Sequence, residues 1–483
     1  MVGRGEFTSW GAAKAAGATM FGADVEIVEA HTATSYHEYP LGETLPLPTD
    51  ISFHEISGGR EIAISPSKAN WLTLQAQETM LLKLLMLGLS PKEAMEAIVS
   101  RSGATPFAEV LQALKSLLGK IAQHNFSDSF IAHEQLQKNV AHLYLTNACN
   151  LRCKHCYMKS GLAEAQQVPL SHWLTFLDGF KEFGGTHVNL SGGEALYYSG
   201  FWEILAKCKD LGLNVYVLSN GLLVDAASAR EIADAAYQIQ ISVDGPNAKS
   251  NDSLRGRGSY DKAMAGLYHF RGLNIAVRVA MIATPQTIDE FERDFVPFAR
   301  RLYEDFGRQL QLRVSVDVIE GRTVSRYDPS TKAALQSRVD RLFDQLWGYD
   351  TRSHSDAVGY KRGLLNRNCG FGREISVKST GEVYPCPIQI KPIGHIATDR
   401  IDELFRATRL EDRDKSIDNF ADCRDCDLRY LCGGGCRVAN YEMTGDYKRP
   451  YFCTERYVSN FYERLGSADS FVESYLDGRD MER

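Results

Sequence analysis

From about residue 141 the chain alternates apolar runs of strand length with amphipathic stretches of helical period. The runs read AHLYLTNA (141–148), HVNLSGG (187–193), NVYVLSNG (214–221), QIQISVDG (238–245), AVRVAMIAT (276–284) and QLRVSVDVI (311–319). Between them lie stretches such as SHWLTFLDGFKEFG and SYDKAMAGLYHFRG, several closing on the glycine that ends many helices. Strand and helix in strict alternation predict parallel strands with right-handed crossovers. Six such units predict an α/β domain, a partial (β/α)6 barrel over residues 140–345.

Upstream the pattern changes. DISFHEIS and REIAISPS, joined by Gly58 and Gly59, predict a β-hairpin. Three helical stretches follow, QAQETMLLKLLMLG, SPKEAMEAIVSRSG and TPFAEVLQALKSLLGKI. Ser90 and Glu93 have the spacing of a capping box, and Thr105-Pro106 reads as an N-cap followed by a first-turn proline. A hairpin with three helices is a winged-helix-like arrangement, assigned to residues 45–135. Residues 1–44 show neither period nor motif and stay unassigned. Past residue 345 the barrel rhythm stops. A cysteine-rich region fills 346–465, and 466–483 form a C-terminal tail.

Composition narrows the setting. At 483 residues, 44% hydrophobic and 24% charged, the chain reads as an ordinary globular protein of about three domains. A net charge of -7 leaves no overall basic footprint for nucleic acid. Residues 45–125 balance seven Lys/Arg against seven Asp/Glu, so the winged-helix-like part does not read as a DNA binder. No apolar run reaches bilayer length: MLLKLLMLGL is interrupted by Lys83. With no secretory signal, eleven cysteines read as metal or redox ligands in a cytoplasmic protein.

The chemistry-bearing residues gather at strand ends. LTNACNLRCKHCYMKS follows the first barrel strand, SGGE the second, SNG the third and SVDG the fourth. Carboxyl ends of strands are where such barrels build their sites, so these motifs converge. Cys149, Cys153 and Cys156 are spaced Cx3Cx2C. Three thiolates could serve zinc, although structural zinc sites close with a fourth ligand. They also suit a four-iron cluster with one iron left open.

The Cx3Cx2C loop with SGGE after the next strand resembles the radical SAM superfamily over residues 141 to about 320. The resemblance implies that Cys149, Cys153 and Cys156 hold three irons of a [4Fe-4S] cluster and that S-adenosyl-L-methionine chelates the fourth. It sets His155 beside the adenine, with Tyr157 next to the third cysteine. Glu194 would accept hydrogen bonds from the methionine ammonium, with Gly192 and Gly193 allowing close approach. Ser219, Asn220, Ser242 and Asp244 lie where relatives contact ribose and methionine groups, and Arg255 is a candidate carboxylate partner. Cys208, inside the helical FWEILAKCKDLG, reads as a core cysteine.

Seven more cysteines follow: Cys369, Cys386, Cys423, Cys426, Cys432, Cys436 and Cys453. Two four-cysteine zinc sites could use similar pairs. Attached to such a barrel, the series resembles the SPASM extension, which binds two auxiliary clusters. Cys423, Cys426, Cys432 and Cys453 would surround the outer one, and Cys369, Cys386 and Cys436 would ligate the inner one. Seven thiolates cannot close two four-thiolate sites, so an open iron is expected on the inner cluster. Sulfatase-maturing relatives carry Asp after the cysteine matching Cys386. Pro387 stands here, which leaves the substrate base unidentified.

REIAISPSKANWLTLQAQETMLLKLL resembles the PqqD-like element that captures leader peptides of ribosomally made, modified peptides. Such elements take the leader as an added strand at a sheet edge; a purely structural role is the alternative. The combination implies a peptide maturase that installs a cross-link, a thioether if a cysteine is the donor, aided by a one-electron reductant of flavodoxin or ferredoxin type. Carbon–carbon or carbon–oxygen links, dehydrogenation of a non-peptide substrate, and a cluster-bearing module without turnover are the other readings.

Overall fold

The computed structural model describes residues 41–102, 106–134, 139–161, 167–316, 318, 321–347, 361–388 and 391–476. Most of the unassigned N-terminal segment, Thr105, the end of the sixth apolar run and the last residues of the tail lie outside them. The chain divides into two compact units. One holds Met1–Leu136, Arg352–Cys369 and Ser416–Arg483; the other holds Gln137–Thr351 and Gly370–Lys415.

In the first unit Gly58 and Gly59 both take left-handed φ values, +77° and +68°, where a side chain would be strained. The chain turns there between β1 (Ser52–Ile56) and β2 (Arg60–Ser65). A third strand, β3 (Asn70–Leu74), which the hairpin reading lacked, completes an antiparallel sheet in the order β1-β2-β3. Three helices follow, α1 (Ala76–Met86), α2 (Pro91–Ser102) and α3 (Phe107–Gln123). The capping box is formed: the Ser90 N–H donates to Glu93 at 2.8 Å and the Glu93 N–H to Ser90 Oγ at 3.3 Å. At α3, Pro106 is itself the N-cap residue and the helix starts one residue later than the proline reading predicts.

The sheet is buried on both faces. Ala63, Leu72 and Leu74 pack with α1–α3, whereas their strand neighbours Ile62, Ile64 and Trp71 point the other way. There they join Phe420, Cys423, Leu431, Phe461 and Leu465 in one apolar core. The period of two explains the division. A short parallel pair, β4 (His133–Glu134) with β11 (Leu364–Leu365), belongs to the same unit.

The second unit carries the six foreseen strands: β5 (Val140–Tyr144), β6 (His187–Ser191), β7 (Asn214–Ser219), β8 (Gln238–Ser242), β9 (Ala276–Ile282) and β10 (Leu310–Ser315). Each is parallel to its neighbour. Beyond β5 the sheet continues through β12 (Glu374–Val377), β13 (Glu382–Tyr384) and β14 (Gly394–His395), so it has nine strands and stays open, with β10 and β14 at its ends. Alternate residues such as Leu143, Val188, Val217, Ile241 and Val279 face the helices and form the core. Cys208 is fully buried in that core. The other residues face inward and are mostly polar. Among the described residues no helix is long and apolar enough to cross a membrane.

Candidate functional site

The loop after β5 is fixed before its thiols are considered. The Cys149 N–H donates to the Gly161 carbonyl and the Gly161 N–H to the Asn147 carbonyl, at 3.1 and 3.0 Å. SGGE runs beside it, Gly193 donating to the Thr146 carbonyl and Glu194 to the Ala148 carbonyl, at 2.7 and 2.9 Å. A Cβ on Gly192 would stand 2.6 Å from the Thr146 carbonyl oxygen, and one on Gly193 2.4 Å from that of Ala148. Glycine is required there because two backbones touch.

Glu194 is buried, and its carboxylate accepts from Ser219 Oγ at 2.8 Å and from the Asn220 N–H at 2.7 Å. Burial raises its pKa, and these hydrogen bonds offset part of the rise. Asn220 also reaches across to Asn150, donating from Nδ2 to Oδ1 at 2.7 Å. The ends of β6 and β7 thus meet the cysteine loop.

A second cluster lies beyond β8. Asp244 Oδ2 is 3.0 Å from His155 Nε2 and 2.6 Å from Arg255 Nε. Burial alone would push Asp244 up, but Arg255 and then His155 override it and hold the carboxyl at about 2. Arg255 is therefore committed to Asp244. His155 Nδ1 is buried without a hydrogen-bond partner, the kind of atom a bound ligand completes. Ser242 ends β8 on its inner face, with Asp244 two residues further on.

Tyr157 departs from a simple neighbour role. Its hydroxyl lies 2.5 Å from that of Tyr144, at the end of β5. Burial pushes the Tyr157 hydroxyl up to about 12, and Cys156 and Cys386 add to the rise, which puts Cys386 beside this pair within the barrel unit.

These residues fit the cofactor implied by the cysteine spacing. Burial raises the pKa of Cys149, and Cys153 is pushed up to about 11 mainly by burial, with further increments from their fellow thiols. Such thiols become ligand thiolates when iron supplies positive charge. Cys149, Cys153 and Cys156 would hold the cluster, with Glu194, Asn220 and His155 around its ligand.

Sequence reasoning missed the segment that closes the loop from the far side. The Thr323 N–H donates to the Lys154 carbonyl at 2.8 Å, and a Cβ on Gly321 would lie 2.6 Å from the His155 carbonyl carbon. The only cue was position, just past the sixth apolar run.

In the other unit Cys423, Cys426, Cys432 and Cys453 influence one another. Cys423 is pushed up to about 12 by burial and then by the other three. Gly433, Gly434 and Gly435 all take left-handed φ, between +66° and +73°. Their turn wraps Arg437, which is fully buried and donates from Nη1 to the Gly433 and Gly435 carbonyls at 2.8 and 2.7 Å. Its guanidinium lies 4.4 Å from the Phe420 ring centre, and the thiols of Cys369 and Cys436 oppose the lowering of its pKa by burial. This buried cation was not foreseen. Cys369 and Cys436 belong to this unit and Cys386 to the barrel unit.

Residues 143–295 match the family model of the Radical SAM superfamily, and residues 369–427 that of SPASM, an iron–sulfur cluster-binding domain. The mycofactocin maturase MftC of Mycolicibacterium smegmatis is 30% identical over 318 residues, 62% of this chain and 77% of that protein. The AdoMet-dependent heme synthase of Nitratidesulfovibrio vulgaris is 25% identical over 340 residues, 63% of this chain and 88% of that protein. The solved structure of native anSMEcpe with bound AdoMet and Cp18Cys peptide superposes with a TM-score of 0.51 at 18% identity, covering 70% of this chain and 99% of that one. At that identity the likeness concerns the fold.

Proposed function

The chain belongs to the radical SAM superfamily, and on that premise we propose that it is a maturase that cross-links a ribosomally made precursor peptide in the cytoplasm, most simply through a cysteine thioether. The family and its SPASM region imply S-adenosyl-L-methionine and [4Fe-4S] clusters. We assign one cluster to Cys149, Cys153 and Cys156 and an outer auxiliary one to Cys423, Cys426, Cys432 and Cys453. When bound, S-adenosyl-L-methionine with its cluster would supply radical abstraction of one hydrogen atom from a substrate carbon, and an auxiliary cluster would supply the acceptor for the second electron in an overall loss of two hydrogens. Around that chemistry Glu194 and Asn220 orient the methionine end, His155 and its Asp244 brace set the adenine end, and the Gly321–Thr323 segment limits entry of water. A reductant of flavodoxin or ferredoxin type supplies the first electron.

The observation that carries the peptide reading is the edge of β1. The carbonyls of Ala69, Trp71 and Thr73, along the outer edge of β3, are taken by the Gly363 N–H, Arg362 Nε and Lys120 Nζ. This alternation fixes which groups of β2 face β1 and leaves Phe53 and Glu55 pointing their main-chain groups outward from β1. Those groups hydrogen-bond to nothing among the described residues. A PqqD-like role for this winged-helix-like domain would therefore use β1, where an extended leader adds a strand. A second reading, radical chemistry on a non-peptide substrate, draws on the heme synthase likeness.

The test is anaerobic incubation of a candidate precursor, with and without its leader, with reductant and S-adenosyl-L-methionine, followed by mass spectrometry. Leader-dependent loss of two hydrogens with a thiol blocked to alkylation is expected. An unchanged cognate peptide with the cofactor still cleaved would overturn the peptide reading.

A further inference from the structure

Two arginines face into the barrel, and among the described residues the positions level with them on β8, β9 and β10 hold no carboxylate. Register places Arg278 on β9 level with Gln240 on β8 and Gln311 on β10, and Arg313 on β10 level with Ala280 and Ser242. Both point away from the helices, because their strand neighbours Val277, Val279, Leu312 and Val314 fill the helix-facing core. They therefore share the inner face one and two rungs from the residues that surround the cysteine loop.

Their partners are unusual. Gln311 Oε1 accepts from Arg278 Nε at 3.2 Å, from Arg278 Nη2 at 2.9 Å and from Gln238 Nε2 at 3.1 Å. A carboxamide whose oxygen is so engaged offers the open barrel only its N–H₂ group. Arg313 makes no hydrogen bond or ion pair among the described residues. The inner-face positions of β5 through β10 contain no Asp or Glu. Two guanidiniums and an amide thus present donors only, and the like charges oppose each other. Burial and then the charge of Arg313 lower the Arg278 pKa, as expected for a cation pair awaiting an anion.

We propose that Arg278 and Arg313 form a carboxylate-binding site that seats an anionic group of the substrate on the inner face of the barrel. The site rests on the reading of that face as the substrate chamber. A planar carboxylate matches the guanidinium fork and the Gln311 amide, whereas a cationic or acceptor-only neutral group does not. The carboxylate comes either from an acidic side chain or from a chain terminus. Either one would fix the substrate carbon relative to Ser242, one strand from Ala280.

Arginine labelling with phenylglyoxal tests this on the full chain with its clusters assembled, read residue by residue by mass spectrometry. The probes are N-acetyl-L-glutamic acid 1-amide for a side-chain carboxylate and N-acetyl-L-phenylalanine for a terminal one, each beside its fully amidated counterpart. Exposed Arg230 on the outer helical face serves as the internal control. At least one acid is expected to slow labelling of both Arg278 and Arg313 several-fold while sparing Arg230, and the acid that protects identifies the source. In an Arg313→Gln protein the protection of Arg278 is expected to fall away, and in Arg313→Lys to return in part. Equal protection by the amides, no protection by either acid, or protection of Arg278 undiminished by Arg313→Gln would each overturn the site. The labelling needs neither turnover nor a precursor, so its failure is separate from failure of the maturase reading.

Discussion

Cys149, Cys153 and Cys156 come from one loop whose backbone is held at both ends by Asn147 and Gly161 and flanked by SGGE. Cys423, Cys426, Cys432 and Cys453 instead sit in a turn-rich lobe whose core is shared with strands more than three hundred residues upstream. The first set is built locally, from spacing and two close-packed glycines. The second depends on packing assembled from both ends of the chain. A site of the first kind can be damaged by one methyl group, whereas one of the second kind fails when a distant core loosens.

The largest effect should come from exchanging ligands between the two sets. Cys153→Ala is expected to abolish cleavage of S-adenosyl-L-methionine, whereas Cys423→Ala keeps cleavage but loses product and part of the iron. Product chromatography and iron analysis separate the two, and loss of cleavage in both would erase the contrast. Next, Glu194→Gln exchanges a charged acceptor for a neutral one and should weaken S-adenosyl-L-methionine binding roughly ten- to hundredfold, measured by equilibrium dialysis. Asp244→Asn should cost the barrel unit about 2 kcal/mol at pH 7, read by denaturant titration. Because the folded Asp244 pKa is depressed from 3.8 to about 2, that stability is present above pH 3.8 and lost as the pH falls through 2, so variant and parent should converge there. Smallest, Ser90→Ala removes one capping side chain and should cost about 1 kcal/mol, confined to the unit that holds the outer cysteines.

The six barrel strands were legible from their apolar alternation, and the first four also from a motif at the carboxyl end of each. The cysteine loop was legible because its contacts are close in sequence. Asn70–Leu74 was not read as a strand: it is buried along its whole length, so it lacks the alternation that marks a half-exposed strand. The strands that extend the barrel sheet from Glu374 to His395 are two to four residues long, too short to carry a period. Gly321 and Thr323 reach the cysteine loop across more than one hundred and sixty residues, a contact without local trace. Arg437 escaped for a different reason. Arginine is rarely buried, and only the three left-handed glycines before it reveal that carbonyls turn inward to receive one.

The double burial of the β1–β3 sheet sets a rule for recombination. Ile62, Ile64 and Trp71 are as much part of the outer-cysteine lobe as Phe461 and Leu465 are. A chimera that transplants residues 45–135 would bring a foreign apolar face to that lobe, or leave the lobe's own face wet. The exchangeable unit is therefore larger than residues 45–135. It includes the C-terminal helix that begins at Glu455, and lineages or designs that retarget such an enzyme should inherit the two ends of the chain together.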